Sequence, residues 1–219
     1  MRRILGVLLA VGLAACGDND DGGGPSGPVS GTIGGQPFTP SSVSAVLIPP
    51  ASCTIEMTTV NASGLVLGFG NFDLCAFLAQ AGPNAFCSNK ASSTLVGAVV
   101  LKIGLIQAQT AVGPGTYTVK DVGSTLPDAS GNVVGVSATA TRTDATCLPS
   151  FQEDATVGGT VSVSSASASA VSGSVNLAFG TGNAFAGSYD ASVCAQSLDI
   201  CQIVALIAGG GNCTPACIP

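Results

Sequence analysis

The stretch Val171-Ser172-Gly173-Ser174-Val175-Asn176-Leu177-Ala178-Phe179 decides the fold class of this chain. Its large apolar side chains alternate with polar or small ones. The large apolar residues are Val171, Val175, Leu177 and Phe179. Such alternation is typical of a half-buried β-strand, because successive side chains of a strand point to opposite faces. The turn-forming residues Gly180-Thr181-Gly182-Asn183 follow, and residues 184–190 are then predicted to return as an antiparallel partner.

The same pattern extends over most of the chain. Val134, Val136, Ala138 and Ala140 alternate with Ser and Thr, and Gly34-Gly35 is a hairpin signal. Further strands are predicted at residues 29–33, 43–48, 54–60, 65–71, 94–107, 116–120 and 156–164. The strands at residues 156–164, 171–179 and 184–190 should form a meander. Residues 72–81 and 197–208 have the spacing of short helices, and a glycine follows each segment. We therefore expect an all-β fold, an antiparallel β-sandwich or partly closed barrel with one or two short helices, stapled by disulfides.

The N-terminus has the order of an export signal. Arg2 and Arg3 precede an apolar run over residues 4–15, which is shorter than the about 20 residues that a membrane-spanning helix needs. The run ends in Leu13-Ala14-Ala15-Cys16, which resembles the lipobox of bacterial lipoproteins. That resemblance implies removal of residues 1–15 and acylation of Cys16, so that acyl chains anchor the protein in a membrane. A soluble secreted protein cleaved at a similar site is the alternative.

Residues 16–30 are predicted to form the lipidated cysteine and a flexible tether. They are rich in Gly, Asp, Ser and Pro, and a coil of this length has a root-mean-square reach of about 20 Å. Residues 31–219 are then expected to form a single β-rich domain. In the lipoproteins that this chain resembles, an aspartate directly after the lipidated cysteine retains the protein at the inner membrane. Here that position is Gly17, so the resemblance favours location in the outer membrane. Whether the domain faces the periplasm or the cell surface stays open.

Three segments, at residues 30–38, 143–147 and 187–194, resemble recurring stretches of uncharacterised Gram-negative lipoproteins. The first contains the pattern G-x-[IV]-x-G-x-x-F over residues 31–38, and the last follows G-x-[FY]-x-A-x-x-C over residues 187–194. In those proteins the first and last stretches bracket a β-rich domain. The resemblance implies such a domain over most of residues 29–195, and it brings no known activity.

The charge pattern argues against nucleic-acid binding. After signal removal, twelve acidic residues stand against only four basic ones, namely Lys90, Lys102, Lys120 and Arg142. Binding to phosphates requires a cluster of such cations. Electrostatic attraction to anionic headgroups is equally disfavoured, so we expect the acyl chains alone to hold the protein at the membrane.

Nine cysteines are present, and assigning Cys16 to lipid leaves an even number for disulfides. These eight are Cys53, Cys75, Cys87, Cys147, Cys194, Cys201, Cys213 and Cys217. An even count in an exported chain predicts four disulfides formed in an oxidising compartment, although 105 pairings are possible. We favour Cys75 with Cys87, and Cys213 with Cys217 or one of these two with Cys194 or Cys201. A zinc site is less favoured, because the chain has no CxxC pair and no histidine.

Few catalytic mechanisms fit these residues. The absence of histidine excludes Ser-His-Asp and Cys-His catalysis. Paired carboxylates could hydrolyse a glycoside, and the candidates are Asp144, Glu153, Asp154 and Asp190. However, the chain has no tryptophan and only two tyrosines to stack on a sugar ring.

The leading functional prediction is a non-enzymatic, lipid-anchored module of the cell envelope with a structural or interaction role and no cofactor. Its expected partners are the membrane, through the acyl chains, and an envelope protein or glycan. The first alternative is a calcium- or glycan-binding module that uses Asp144 or Asp190. A carboxylate hydrolase is the less favoured alternative.

Overall fold

The computed structural model describes residues 27–55, 58–81, 91–93, 97–106, 110–119, 133–144, 148–154, 158–196, 198–199, 201 and 216–218. Within these residues the chain forms thirteen strands and one helix. In chain order they are β1 (Ser30–Ile33), β2 (Gln36–Phe38), β3 (Ser42–Ile55), β4 (Thr58–Gly70), α1 (Leu74–Ala81), β5 (Ala91–Ser93), β6 (Gly97–Ile106), β7 (Gly115–Thr118), β8 (Val133–Thr143), β9 (Pro149–Asp154), β10 (Gly158–Ala166), β11 (Ala170–Ala178), β12 (Ala184–Val193) and β13 (Ala216–Ile218).

One large sheet dominates the described structure. Its strand order is β7-β10-β11-β12-β3-β4-β6-β8-β9, and the β1–β2 hairpin branches from β12. The pairs are antiparallel, except that β12 runs parallel to β3, and β5 and β13 form a separate parallel pair. The all-β prediction and the β10–β11–β12 meander are confirmed, although the sheet is mixed rather than wholly antiparallel. The sheet stays open and has a sandwich-like arrangement.

The main core forms where the two halves of this sheet face each other. Phe69 of β4 makes edge contacts with Phe185 and Tyr189 of β12, at centroid distances of 5.2 and 5.6 Å. The apolar side of the alternating stretch that predicted β11 also points into this core, and its four large residues are at most 3 % exposed. Burying each such side chain contributes about 1.5–3 kcal/mol. Alternation therefore identified the core face of β11 correctly.

The β3–β4 hairpin is buried on both faces. Leu65 and Leu67 of β4 point into the main core, whereas Val66 points to the opposite face and joins a second cluster with Leu74 and Leu78 of α1. A Cβ at Gly68 would lie 2.2 Å from Leu74 Cδ2, so a larger residue there would force the Leu74 side chain to shift. Burial on both faces explains the uninterrupted apolar runs at residues 45–48 and 65–67.

Asp73 determines where α1 begins. Its Oδ1 atom accepts hydrogen bonds from the backbone N–H groups of Cys75 and Ala76, at 2.9 and 3.1 Å. This is N-capping, which satisfies donors that have no partner within the helix. The predicted helix at residues 72–81 is thus confirmed with a start two residues later, and that at 197–208 lies largely outside the described residues. None of the helical residues described here forms a helix long and apolar enough to cross a membrane.

Among the described cysteines, two disulfides join distant parts of the chain. Cys53 bonds to Cys201 and Cys75 bonds to Cys194, with Cα–Cα distances of 5.1 and 5.2 Å. The predicted Cys75–Cys87 bond is therefore wrong, and Cys194 and Cys201 are not available to Cys213 or Cys217. Proximity in sequence failed as a guide because the C-terminal segment returns across the outer face of β3 and α1, where Cys194 joins the second cluster. Cys87, Cys147 and Cys213 lie outside the described residues, and Cys217 is described only as part of the β13 backbone.

Candidate functional site

A groove lies where strand β12 changes its neighbour. The start of β12 pairs with β1 through Phe185 and Ala186, and its end pairs with β3 through Ser192 and Val193. The sheet therefore forks along β12, and the groove opens between the two branches. It has a volume of about 380 Å³, and its walls come from Gly27, Pro28, Val29, Thr39, Pro40, Val43, Ser188, Tyr189 and Asp190.

Ser188 fixes the first described residues against the groove. Its backbone N–H and its Oγ both donate to the carbonyl oxygen of Gly27 at 2.7 Å, and Val29 N–H donates to the carbonyl oxygen of Ser188 at 3.1 Å. Residues 27–30, which the sequence assigned to the tether, thus belong at least partly to the fold. The predicted tether now meets the body at Gly27, on the wall of the groove.

Tyr189 contributes structure to the groove rather than chemistry. Its ring lies in the core, and its hydroxyl donates to the carbonyl oxygen of Ser162 at 3.2 Å. Burial, and secondarily the neighbouring Tyr117, raises the pKa of Tyr189 far above its ordinary value of 10.0. The phenol therefore stays neutral, and its proton is engaged inside the protein.

Asp190 supplies the negative charge of the groove. It follows Tyr189 along β12, and alternation turns its side chain outward to solvent. Among the residues that line the groove in the described structure, Asp190 alone carries a formal charge. The groove thus presents one carboxylate beside the hydroxyls of Thr39 and Ser188, a set suited to a polar or cationic group.

Glu153 lies elsewhere and is engaged in a hydrogen-bond network. Its carboxylate accepts from the backbone N–H and the hydroxyl of Thr181, both at 2.6 Å, and from the Asn183 amide at 3.2 Å. Asn183 Oδ1 in turn accepts from Gly35 N–H at 3.1 Å, so the network joins β9 to the β11–β12 and β1–β2 turns. Desolvation alone would raise the pKa of Glu153, but the hydrogen bonds from Thr181, Asn183 and Gly180 outweigh it and lower that pKa.

The remaining predicted carboxylates do not join Asp190. Asp144 closes the β8–β9 connection, where its Oδ1 accepts from Leu148 N–H at 3.1 Å, and Asp154 is the last residue of β9. Neither residue, nor Glu153, lines the groove. Within the described ranges, no three acidic or cysteine side chains come together to hold a metal ion.

Packing explains the motif at residues 187–194. Gly187 has φ +143°, and a Cβ there would lie 2.4 Å from Val29 Cα, so glycine lets the N-terminal segment cross β12. Tyr189 and Ala191 enter the core, and Cys194 forms a disulfide. The groove residues Thr39, Pro40 and Val43 were not predicted, because nothing local in the sequence brings them to β12.

Comparisons of this chain with protein-family models, curated proteins and solved structures gave no match.

Proposed function

We propose that this protein is a lipoprotein of the bacterial cell envelope, anchored in the outer membrane through acylated Cys16, with a non-enzymatic structural or interaction module as its body. The observation that carries the proposal is the attachment of Gly27 to Ser188 at the groove. Gly27 is eleven residues after Cys16, and a flexible segment of that length reaches about 20 Å. An anchored chain would therefore hold the groove near the membrane surface, where it could contact a partner in the envelope.

The disulfides support the exported setting of this proposal. Cys53–Cys201 joins the C-terminal segment to β3, and Cys75–Cys194 joins the end of β12 to α1. Structural disulfides form and persist in the periplasm or outside the cell, and they are rare in the reducing cytosol. The bonds are thus consistent with a chain that carries an export signal at residues 1–15.

The environments of the acidic and phenolic groups favour a non-enzymatic role. A carboxylate hydrolase needs a general acid with a raised pKa, whereas hydrogen bonding lowers the pKa of Glu153. The hydroxyl of Tyr189 is committed to Ser162. Asp190 lines the groove, but the other three predicted carboxylates do not, so the groove wall carries no carboxylate pair.

The anchor is tested by replacing the lipidated cysteine. We expect Cys16→Ser to abolish incorporation of labelled palmitate and to leave the signal segment uncleaved, whereas Ser26→Ala in the same tether should change neither. Labelling, N-terminal sequencing and fractionation of inner and outer membranes measure these effects. Unchanged labelling and membrane fractionation of Cys16→Ser would refute the anchor. By the lipoprotein resemblance, Gly17→Asp should retain the protein at the inner membrane.

The interaction role is tested at the groove with matched charge reversals. Asp190→Lys reverses the charge in the groove, and Asp199→Lys makes the same change at an exposed position in the C-terminal segment. Crosslinking in intact cells, followed by recovery of the protein, should yield an envelope protein or glycan with wild type and Asp199→Lys. We expect Asp190→Lys to reduce this yield at least about tenfold, the effect of roughly 1.4 kcal/mol. Equal recovery from both variants would contradict a role for the groove.

Direct ligand binding is the second candidate function, and the position of Asp190 in the groove favours it. A single carboxylate with neighbouring hydroxyls suits a glycan better than calcium, which takes six to eight oxygen ligands. Titration with peptidoglycan fragments and with calcium would distinguish these ligands. Asp190→Asn should weaken binding, whereas Asp144→Asn, at the β8–β9 connection, should not. Loss of binding in Asp144→Asn alone would assign the ligand to the other predicted acid.

A further inference from the structure

The two disulfides are nested and skip over other cysteines. In chain order, Cys53 bonds to Cys201 across 148 residues, and inside that loop Cys75 bonds to Cys194 across 119 residues. Cys87 and Cys147 also lie between the partners of both bonds. Each native bond therefore needs a cysteine from the last quarter of the chain, and neither joins neighbouring cysteines.

During export in the N-to-C direction, the wrong partners would meet first. Cys53 and Cys75 are only 22 residues apart. The probability of closing a flexible loop falls as about the three-halves power of its length. On that scaling, Cys53–Cys75 forms about 17-fold more readily than Cys53–Cys201 and about 13-fold more readily than Cys75–Cys194. One wrong bond thus competes with both native bonds before the C-terminal cysteines arrive.

We propose that this chain requires a thiol–disulfide isomerase as a folding partner to reach its native pairing. This inference rests on the proposed export into an oxidising compartment. A thiolate of the isomerase attacks Cys53 in the wrong Cys53–Cys75 bond, which forms a mixed disulfide and releases Cys75 as a thiolate. The Cys201 thiolate then attacks Cys53, forms the native bond and returns the isomerase thiolate. The Cys75 thiolate can next attack Cys194 in whatever disulfide Cys194 has formed, again with no net oxidation.

Refolding of the purified full chain tests the partner directly. The chain is reduced in denaturant and diluted into oxidised glutathione alone, or into the same oxidant with a reduced bacterial disulfide isomerase. Thiols are then alkylated, and disulfide-linked peptides are quantified by mass spectrometry. With oxidant alone we expect Cys53–Cys75 to exceed the native bonds about tenfold, and with isomerase the native bonds should dominate. Equal native yield without isomerase would overturn the proposal, as would wrong bonds that the isomerase cannot convert.

Two serine variants identify the competing bond. Cys75→Ser removes the nearest wrong partner of Cys53, so the yield of Cys53–Cys201 with oxidant alone should rise at least about twofold. Ala76→Ser, at the exposed position next to Cys75 on α1, leaves every cysteine in place and should leave that yield unchanged. An equal yield from Cys75→Ser and the unmodified chain would remove the competition on which the proposal depends.

A cellular experiment separates this inference from the proposed function. The full chain is expressed in a Gram-negative host with and without its periplasmic isomerase, and disulfides are mapped after alkylation. Loss of the native bonds only in the strain without isomerase supports the inference, and native bonds in both strains overturn it. Failure of export would leave the cysteines reduced in both strains and would refute the envelope location, while the refolding experiment would still decide on the isomerase.

Discussion

At the scale of single residues, glycine fixes the closest contact between β1 and β12. A Cβ at Gly31 would lie 2.1 Å from the carbonyl oxygen of Ala184 and 2.7 Å from Phe185 Cα, and backbone atoms of a sheet cannot yield as a side chain can. We expect Gly31→Ala to lower the free energy of unfolding by about 2–3 kcal/mol. Gly113→Ala is the matched control, because a Cβ there would have no atom within 4 Å. Urea titration of both variants measures the difference, and equal midpoints would contradict the steric argument.

The Glu153 carboxylate should make stability depend on pH. Its hydrogen bonds to Thr181 and Asn183 lower its pKa in the folded protein below the ordinary value of 4.5. The unfolded chain binds the proton more readily, so this contribution is complete above about pH 4.5 and is lost as the pH falls through the lower folded pKa. At pH 7 we expect Glu153→Gln to lower the free energy of unfolding by about 1 kcal/mol. At pH 3 the difference in this free energy between the variant and wild type should be smaller.

Urea midpoints at the two pH values check this behaviour of Glu153. Thr181→Val removes a donor from the same network, so it should raise the pKa of Glu153 toward its ordinary value and weaken the pH dependence in the same direction. A gap between wild type and Glu153→Gln that is as wide at pH 3 as at pH 7 would show that the ionised form is not what stabilises the fold.

At the scale of elements, helix α1 stabilises the outer face of the β3–β4 hairpin. Leu78 is 4 % exposed and packs in the second cluster with Val46, Ile48 and Val66. Removing its side chain loses buried apolar area and leaves a cavity, so we expect Leu78→Ala to cost about 3 kcal/mol. Leu148→Ala is the control, since Leu148 is 62 % exposed and its truncation should cost less than about 0.5 kcal/mol. Similar thermal midpoints for the two variants would mean that α1 contributes little.

Strand boundaries show where sequence patterns were sufficient and where they failed. Period-two alternation located β8 and β11, because each buries one face in the main core. The pattern split β3 into a strand at 43–48 and another at 54–60, whereas β3 continues to Ile55 and residue 58 already begins β4. Pro49 and Pro50 caused the error: the register shifts between Ile48 and Ala51, and this bulge absorbs two residues that lack a backbone N–H.

The short strands escaped prediction for a different reason. Strands β5 and β13 form only by pairing with each other across most of the chain, and β9 forms only as the short partner of the preceding strand β8. A segment of three to six residues carries too little periodicity to stand out from a loop. Their existence is a property of the assembled sheet rather than of their own residues.

At the scale of the whole molecule, the sequence identified one groove residue but could not identify the groove. Asp190 was a candidate because it is an acid near the end of a predicted strand. The groove exists because β12 leaves β1 and joins β3, which brings Thr39 and Val43 to Ser188 and Asp190. Turn signals predict which consecutive strands pair, as they did for β11 and β12, but local pattern contains no information about pairs far apart in sequence such as β12 and β3. The same long-range arrangement set the disulfide pairing, which is why the short-loop prediction for Cys75 was wrong.

Nesting also makes the two disulfides non-additive in stability, which is the last prediction. If Cys75–Cys194 is intact, the outer bond closes an effective loop of only about 30 residues: the segment from Cys53 to Cys75 plus the few residues from Cys194 to Cys201. In the chain-entropy model such a loop contributes about 3.6 kcal/mol, whereas either bond alone constrains a loop of more than 100 residues and contributes about 5 kcal/mol.

We therefore expect Cys53→Ala/Cys201→Ala to cost about 3.6 kcal/mol when the inner bond is present and about 5 kcal/mol when Cys75→Ala/Cys194→Ala has already removed it. A double-mutant cycle on the free energy of unfolding in urea measures this coupling of about 1.4 kcal/mol. Additive costs would mean that the bonds act through local packing of the second cluster. Coupling of the expected sign would instead locate their effect in the unfolded chain, where each bond shortens the loop that the other must close.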